Sequence, residues 1–331
     1  MKLASLKSGG RDGTLVVVDR SLQRTVAVPD VAATLQAALD DWVRIAPRLE
    51  DVYSTLNSEG AMGSALDTRD LAAPLPRAYQ WLDASAYLSH LERVRRARGA
   101  DMPAHMVADP LMYQGGSDSS IGPRDPILAA DEAWGVDFEA EIAVITDDVP
   151  MGVAAAAAGD HIKLLMLVND VSLRNLIPDE LAKGFGFVHG KPANAYSPVA
   201  VTPAELSHAW RDHRLHLPLT CRVNGETVGT PLAGEDLQFG FDRLIAHAAK
   251  SRRLGAGTII GSGTVSNQDA SRGCACLMEK RVLELLETGK METPFLKFGD
   301  RVHIEMLDEE GNSVFGAIDQ EIAPALPRPP L

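Results

Sequence analysis

The 331-residue chain has the composition of an ordinary soluble globular protein, with 45% hydrophobic and 23% charged residues. Its formal net charge of −13 argues against a nucleic-acid or anionic-membrane partner, because such surfaces require concentrated lysine and arginine. The N-terminus has no apolar signal core, and no apolar run approaches the roughly 18 residues that cross a bilayer. Three cysteines without a CxxC pair fit a reducing compartment, so the sequence indicates a cytoplasmic protein.

Residues 1–75 predict a small N-terminal domain. Three short β-like runs, separated by polar or glycine-containing breaks, predict a small sheet at residues 3–7, 14–19 and 25–29. From Asp30 to Leu56 apolar residues recur near helical spacing, and Pro47 predicts a break in that helix. A loop rich in glycine and proline marks a boundary near residue 75, so that residues 76–331 form a second, larger domain.

The larger domain combines many β elements with few long helices, which indicates an α+β fold rather than a doubly wound sheet. Periodicity, helix ends and turn residues locate these elements in the chain. The predicted elements are helices at 84–99 and 241–253, strands at 137–146 and 162–170, and hairpins that turn at Asn224–Gly225 and Glu310–Gly311. The first of these helices is expected to end at Gly99.

A row of acids lies inside the predicted strand at 137–146. Because side chains alternate between the faces of a strand, Asp137, Glu139 and Glu141 share one face, with neighbouring carboxylates about 7 Å apart. Such a row must be solvated or neutralised by a cation. The strand by itself leaves two interpretations open, namely a solvent-facing polar face of a half-covered sheet and a set of cation ligands.

Asp170 ends the apolar run of the predicted strand at 162–170. By itself it is interpreted as an N-cap for a helix at residues 171–176. Together with Glu139 and Glu141, it suggests an all-oxygen site for a hard divalent cation such as Mg²⁺ or Ca²⁺. No HExxH motif or cysteine cluster competes for zinc.

Two further features have mainly structural interpretations. The basic cluster at residues 93–99 has helical spacing, which indicates a solvated helix face rather than an anion site. Cys274 and Cys276 are interpreted as buried structural thiols, with reactive thiols as the alternative.

Five motifs resemble those of the fumarylacetoacetate hydrolase family of metal-dependent C–C hydrolases. They are VDFEAEIAVI, LVNDVSLRNLIP, GFGFVHGKP, GSGTVSN and CLMEKR, in an order and spacing that is far more specific than any one motif. The resemblance extends over about residues 76–322. It implies a mixed, β-roll-like C-terminal domain of that family's type, with a small N-terminal α/β appendage.

The resemblance also implies a bound divalent cation, with Mg²⁺ as the first choice and Ca²⁺ or Mn²⁺ as alternatives. Four carboxylates hold the ion in the family, and the corresponding residues of this sequence are Asp83, Glu139, Glu141 and Asp170. His90, seven residues after Asp83, matches the family's catalytic histidine. Glu279 matches the glutamate that partners this histidine.

Cationic and substrate-binding residues complete the implied site. Arg174 and Lys191 correspond to cations that balance developing negative charge. The resemblance assigns substrate contacts to Tyr113, Gly263 and Thr264. Ile177 stands where the animal enzymes have a substrate-contacting glutamine, and QGGS follows Tyr113 in place of a run that carries histidine and arginine. Both departures concern substrate recognition rather than the cation.

Three of these residues have ordinary structural interpretations when the resemblance is set aside. His90 would be a histidine on a helix surface, and Glu279 would be an exposed acid near the start of a helix. Arg174 would pair with Asp179 or Glu180.

The combined pattern predicts a hydrolase that cleaves the C–C bond of a 1,3-diketo acid, either fumarylacetoacetate or a related acylpyruvate of aromatic and tyrosine catabolism. The chain is expected to be a homodimer that takes a small-molecule diketo acid substrate. A dehydratase of 2-keto-3-deoxy sugar acids, an oxaloacetate decarboxylase and a non-catalytic Ca²⁺-binding module are the alternatives. The presence of both His90 and Glu279 favours hydrolysis, because dehydration needs no activated water.

Overall fold

The computed structural model describes residues 1–97 and 101–325. Their β-strands are β1 (Lys2–Leu6), β2 (Thr14–Val18), β3 (Arg24–Ala27), β4 (Ser64–Ala65), β5 (Gln80–Ala84), β6 (Met112–Gly115), β7 (Ile127–Ala129), β8 (Val136–Asp137), β9 (Ala140–Thr146), β10 (Ile162–Asn169), β11 (Ser172–Leu173), β12 (Ala195–Tyr196), β13 (Ala200–Val201), β14 (Trp210–Arg211), β15 (Arg214–Leu215), β16 (Leu219–Val223), β17 (Glu226–Gly229), β18 (Thr258–Gly261), β19 (Arg301–Met306) and β20 (Ile318–Pro324). Their α-helices are α1 (Leu35–Leu39), α2 (Trp42–Leu56), α3 (Leu88–Ala97), α4 (Ala104–Ala108), α5 (Ala155–Ala158), α6 (Ile177–Lys183), α7 (Phe241–Ala248) and α8 (Leu277–Thr288).

One open, mixed sheet of eleven strands organises the fold. Its order is β4-β3-β2-β1-β13-β10-β9-β18-β5-β6, and β12 also pairs with β10. Its pairings are antiparallel except the one between β18 and β5, which is parallel. A second sheet has the order β17-β16-β19-β20-β7. Helices packed against mixed sheets confirm the predicted α+β class.

The N-terminal strands belong to the same large sheet. β1 pairs antiparallel with β13, and Lys2 lies opposite Val201 in this ladder. Leu49 and Tyr53 of α2 are buried in the core that covers one face of these strands. The three strands predicted near the N-terminus are confirmed as β1, β2 and β3. The domain boundary at residue 75 stays a prediction.

The predicted break at Pro47 is wrong. The helical segment divides at Asp40–Asp41 instead, and α2 runs through Pro47 without interruption. Pro47 lacks the amide that would bond the Val43 carbonyl, and both residues are exposed, so this turn of the helix faces solvent. Buried Leu49 on the opposite side holds the helix against the sheet, and this packing outweighs the local penalty of the proline.

Most other predicted elements agree with the structure, although the helix predicted at 241–253 ends at Ala248. The hairpin at Asn224–Gly225 joins β16 to β17, with φ values of 52° and 85° at its two turn residues. The last hairpin is confirmed by the antiparallel pairing of β19 and β20. Helix α3 begins only at Leu88, because residues 80–84 form β5, and its predicted end at Gly99 lies outside the described residues. No helix in the described part of the chain is long and apolar enough to cross a membrane.

Neighbouring strands toward the β6 edge of the large sheet bring three acids together. Asp83 lies on β5 and Glu141 on β9, and these strands flank β18 on its two sides. Gly261 of β18 is the ladder partner of Asp83. Asp170 follows immediately after β10, the other neighbour of β9. The sheet order, rather than sequence proximity, therefore assembles the carboxylates.

Candidate active site

A cluster of three buried carboxylates lies at the centre of the candidate site. Asp83, Glu141 and Asp170 each offer an oxygen atom, and these atoms lie within 4.8 Å of one another. The side chains are almost wholly inaccessible to solvent, with Asp83 5% exposed and the other two 0% exposed. A solvent-facing polar face is therefore the wrong interpretation of this strand. The N-cap interpretation of Asp170 is also wrong, because strand β11 rather than a helix follows it.

The electrostatics of this cluster fit a divalent cation. Neither carboxylate oxygen of Glu141 has a hydrogen-bond partner in the described chain. Burial, followed by repulsion from neighbouring acids, raises the pKa of Asp83 and Glu141 well above their ordinary values. Burial also raises the pKa of Asp170, although Lys191 opposes this shift. An all-oxygen donor set with two unpartnered oxygens suits Mg²⁺, Mn²⁺ or Ca²⁺, and such an ion would relieve the repulsion.

Glu139 occupies a different position from Glu141. The predicted strand at 137–146 divides into β8 and β9, and Glu139 lies between them, bridged to Cys276. Its carboxylate accepts hydrogen bonds from Arg174 Nη2 at 2.8 Å and from Lys191 Nζ at 2.5 Å. Burial opposes ionisation of Glu139, but the two cations outweigh it and hold its pKa below the ordinary value. Glu139 is therefore an ionised neighbour of the cluster, and its role as a ligand stays a prediction.

Lys191 connects Glu139 with the carboxylate cluster. Its Nζ donates to Glu139 Oε2 and to Asp170 Oδ2, both at 2.5 Å. Burial favours the neutral amine, but Asp170 and Glu139 together raise the pKa of Lys191. The side chain is only 7% exposed and remains a buried ammonium group between two acids.

Arg174 contacts the acids of this site and not Asp179 or Glu180, which the sequence without the resemblance suggests as its partners. Its Nε donates to Asp137 Oδ2 at 2.8 Å. Asp137 in turn accepts the backbone N–H groups of residues 277 and 278 at the start of α8. Pairing of Arg174 with Glu180 is wrong, because Glu180 accepts backbone N–H groups of residues 188–190 instead. The third acid of the row, Asp137, thus anchors a helix and an arginine rather than a cation.

A histidine–glutamate pair adjoins the acids. His90 Nδ1 and Glu279 Oε2 are 2.8 Å apart, and Glu279 is 0% exposed. Ser266 Oγ donates to the other oxygen of Glu279 at 2.7 Å. Burial disfavours the charged form of Glu279, but the hydrogen bond from His90 and the other donors lower its pKa. The surface-histidine and exposed-acid interpretations are both wrong, because the side chains of His90 and Glu279 are only 16% and 0% exposed.

Arg93 is a residue of this site that the sequence did not single out. Its guanidinium donates to Glu279 Oε1, to Ser266 Oγ at 3.1 Å and to the carbonyl of Asn267 at 2.6 Å. With a side chain 11% exposed, Arg93 does not belong to a solvated helix face. The sequence signal that could have identified Arg93 is its position one helical turn after His90 on α3. Side chains at this spacing can reach the same neighbour, here Glu279. Nothing in a run of arginines identifies which one turns inward.

The predicted substrate contacts also lie near the acids. Tyr113 Oη donates to Asp170 Oδ2 at 2.8 Å, and the Gly263 N–H donates to Asp83 Oδ1 at 3.1 Å. Gly263 has φ of 80°, and a Cβ there would lie 2.4 Å from a backbone oxygen, so no other residue fits without displacement. Thr264 is 5% exposed. The substrate-binding roles of these three residues stay predictions.

The two late cysteines behave as structural thiols. Both are buried and free, and Cys276 Sγ accepts the backbone N–H of Glu279 at 3.3 Å as the cap of α8. Burial raises the pKa of Cys274 to about 12 and that of Cys276 well above its ordinary value. Neither thiol forms a reactive thiolate readily.

A cavity of about 360 Å³ unites these residues. All predicted site residues line it except Asp170 and Glu279, which lie behind Tyr113 and His90 respectively. A larger cavity of about 650 Å³, near Lys2, contains none of them. Chemistry rather than size therefore identifies the candidate site, which combines an acidic cluster, a buried ammonium group and an imidazole–carboxylate pair.

Comparison with family models identifies the protein class that this fold and site define. The model described as fumarylacetoacetate (FAA) hydrolase C-terminal matches residues 80–323, and fumarylacetoacetase N-terminal domain 2 matches residues 1–77. The chain belongs to the fumarylacetoacetate hydrolase family, which confirms the resemblance given by its motifs.

Two curated relatives share the name oxaloacetate tautomerase and differ in the extent of the match. Oxaloacetate tautomerase fahd2, mitochondrial, of Xenopus laevis is 29% identical over 157 residues, which span 47% of this chain and about half of that protein. Oxaloacetate tautomerase YisK of Bacillus subtilis is 24% identical over 290 residues, or 86% of each chain.

Solved structures share the fold at low sequence identity. Fumarylacetoacetate hydrolase from Exiguobacterium antarcticum has a TM-score of 0.67 and 19% identity, covering 98% of this chain and 100% of that one. Maleylpyruvate hydrolase from Sphingobium sp. SYK-6 has a TM-score of 0.65 and 15% identity with the same coverage. A second structure of that hydrolase contains manganese(II) ion and pyruvate.

Proposed function

We propose that this protein is a divalent-metal-dependent hydrolase that cleaves the C–C bond of a 1,3-diketo acid. The substrate would be fumarylacetoacetate or a related acylpyruvate of aromatic catabolism, and the enzyme a cytoplasmic homodimer. The observation that carries the proposal is the His90–Glu279 pair, whose 2.8 Å contact adjoins the cavity that the acids line. A positioned base beside a cation site provides both requirements of this reaction, an activated water and a stabilised enolate.

Asp83, Glu141 and Asp170 would hold the cation, with Mg²⁺ as the first choice and Mn²⁺ or Ca²⁺ as alternatives. The two unpartnered oxygens of Glu141 and the all-oxygen donor set support this assignment. Bound there, a divalent cation supplies Lewis-acid polarisation of the keto acid and stabilises negative charge on the departing enolate. Glu139 would join the ligand set if it exchanged its bond to Lys191 for one to the ion.

His90 would activate the water. Because Glu279 holds Nδ1, Nε2 takes a proton from water while the water oxygen attacks the distal carbonyl. The C–C bond then breaks, the acyl group leaves as a carboxylic acid, and the pyruvyl part leaves as an enolate that is protonated at carbon. Glu279 stabilises the imidazolium during this sequence, and the buried ammonium of Lys191 balances charge on the enolate oxygen.

The second candidate function is oxaloacetate keto–enol tautomerisation. The names of the aligned relatives favour it, and YisK matches 86% of the chain. Tautomerisation uses the same enolate stabilisation and a proton carrier, but it needs no attacking water. The glutamate-oriented His90 can activate water, which hydrolysis requires and tautomerisation does not, and this favours hydrolysis.

Product analysis separates the two functions. Purified protein with Mg²⁺ is incubated with acylpyruvates and, separately, with enol-oxaloacetate, for wild type and His90→Ala. Hydrolysis predicts equal amounts of pyruvate and carboxylic acid, formed about 10² to 10⁴ times more slowly by His90→Ala. His161→Ala is the matched control, because His161 pairs with Asp147 outside the cavity. Rapid oxaloacetate tautomerisation without C–C cleavage of any acylpyruvate would replace the hydrolase assignment with the tautomerase.

A further inference from the structure

The cavity wall beyond the acids is mainly apolar, with Ser85, Tyr113 and Thr264 as its hydroxyl-bearing residues besides the buried Tyr87. Besides the site residues described above, it is lined by hydrophobic side chains from α3, the segment before β6, α6 and the loop that follows α6. They include Leu91, Val94, Leu111, Ile177, Leu181 and Phe187. Leu181 is 49% exposed, and the other five are half-buried, so an occupant of the cavity would remove their apolar surface from water.

Among the described residues that line the cavity, no lysine or arginine is left unpaired for a second acidic group. Arg174 and Lys191 are the lysine and arginine side chains among its described lining residues. Arg174 is already bonded to Asp137 and Glu139, and Lys191 to Glu139 and Asp170, at 2.5–2.8 Å. A carboxylate held against the apolar part of the wall would therefore lose hydration without gaining a lysine or arginine partner, which is unfavourable.

We propose that the substrate's acyl group is apolar, an alkyl or aryl chain rather than one that ends in a second carboxylate. This inference rests on the proposed function and specifies its substrate class. The keto acid end binds at the acidic cluster and Lys191, and the acyl chain lies against Leu91, Ile177 and Leu181. Of the substrates named under the proposed function, this inference selects a monocarboxylate acylpyruvate over the dicarboxylate fumarylacetoacetate, and it also disfavours oxaloacetate.

Binding of non-reacting analogues tests the inference separately from turnover. Oxamate imitates the enolate of pyruvate, and N-alkyl oxamates extend it toward the apolar wall. We expect calorimetric titration of the Mg²⁺-loaded protein to show about fourfold tighter binding per added methylene until the cavity is filled. An ω-carboxylate on the same chain should weaken binding about tenfold or more.

A cation placed at the cavity rim should reverse this preference. Leu181→Arg should tighten binding of the ω-carboxylate oxamate and weaken that of the alkyl one, and the exposure of Leu181 makes the change compatible with folding. Leu128→Arg is the matched control, because Leu128 is 56% exposed on β7 and lies outside the cavity. It should leave both affinities unchanged.

The binding results distinguish a failure of the apolar acyl assignment from a failure of the proposed function. If wild type binds oxalate but prefers ω-carboxylate oxamates, or shows no gain with chain length, the apolar acyl assignment is overturned and the metal–enolate site stands. If the Mg²⁺-loaded protein binds neither oxalate nor any oxamate, the proposed function fails, and the inference fails with it.

Discussion

Asp83 and Glu141 lie on either side of Gly261, so close that a Cβ on this glycine would lie 2.5 Å from Asp83 Oδ1 and 3.0 Å from Glu141 Oε2. The bare backbone of β18 is therefore what leaves room for two buried carboxylates to converge. This relationship gives the first of five predictions.

Gly261→Ala should displace the two carboxylates and weaken binding of a divalent cation. We expect about a 10- to 100-fold loss of Mn²⁺ affinity, the usual effect of disturbing the residues that support metal ligands, and overpacking should destabilise the fold by about 1–3 kcal/mol. Mn²⁺ titration and thermal denaturation measure the two effects. Gly255→Ala is the control, since its Cβ would meet no atom within 4 Å. Unchanged Mn²⁺ affinity in Gly261→Ala would contradict the assignment of the cation site.

Glu141→Gln should stabilise the metal-free protein at neutral pH. Burial raises the pKa of Glu141 above its ordinary value of 4.5, so its contribution to stability is fully present below about pH 4.5 and is lost as pH rises through the folded-state pKa. The loss is at most about 1.4 kcal/mol per pH unit. Melting curves in chelator from about pH 4.5 to about pH 8 should show a stability difference from wild type that grows with pH. Mg²⁺ should stabilise wild type only.

The exposed Glu226 offers a control for this change, because Glu226→Gln should melt like wild type throughout the pH range. If the Glu141→Gln curve runs parallel to wild type at every pH, Glu141 does not titrate as a buried acid.

Lys191→Met should destabilise the metal-free protein, because Glu139 and Asp170 then lose the ammonium group that they share. Removing one partner of a buried ion pair costs about 3–5 kcal/mol, and Mg²⁺ should recover part of this loss. Denaturant unfolding with and without Mg²⁺ provides the measurement. Lys163→Met, which removes a pairing partner of the less buried Asp147, should cost about 1 kcal/mol or less. Equal losses in the two variants would argue against a central role for Lys191.

His90→Ala should lower acylpyruvate turnover by about 10² to 10⁴, the usual range for a positioned base. Glu279→Gln should act in the same direction, and the double variant should be little worse than either single one, because the two side chains act as a unit. Steady-state kinetics of the four proteins test this relationship. Mn²⁺ affinity should remain near wild type in all of them, and multiplicative losses in turnover would show that the two residues act separately.

Arg93→Gln should lower kcat by up to about 10²-fold while KM stays near wild type, because Arg93 positions Glu279 and touches no part of the proposed substrate path. Arg93→Lys should restore part of the rate by keeping a donor to the carboxylate. Arg95→Gln is the control on the same helix, since Arg95 Nε bonds a backbone oxygen of residue 101 instead. A KM effect as large as the kcat effect would point to substrate contact rather than positioning.

Local sequence patterns predicted much of the fold and of the site, and they failed where distant segments decide the outcome. Strand alternation placed Glu141 on one face of the strand with Glu139 and Asp137 and left open whether that face met solvent or a cation, whereas every residue of β9 is buried in the structure. Strand alternation could not distinguish Glu139 or Asp137 from Glu141. The strand divides before residue 140, and Asp137 accepts hydrogen bonds from Arg174 and from the start of α8. These contacts join residues far apart in the chain, beyond the reach of local periodicity.

The sequence also could not identify individual functional residues that lie within repetitive or weak patterns. Arg93 resembles its neighbours in a basic run, and only the position of Glu279 distinguishes it. Gly261 ends an apolar strand, and nothing local reveals that two acids flank it. Pro47 shows the opposite failure, because a strong local signal was overcome by packing of the rest of α2.

The ladder between β1 and β13 limits how this protein can be recombined with its relatives. The first strand of the chain and a strand some 200 residues later are joined by backbone hydrogen bonds, with Lys2 opposite Val201. Cutting the chain near residue 75 would leave β13 as an open edge, and such an edge invites pairing with other chains. A chimera that exchanges the N-terminal segment must therefore reproduce this register as well as the surface that the segment covers. The β1–β13 ladder is part of a sheet that both segments share, and it is not a linker between two exchangeable domains.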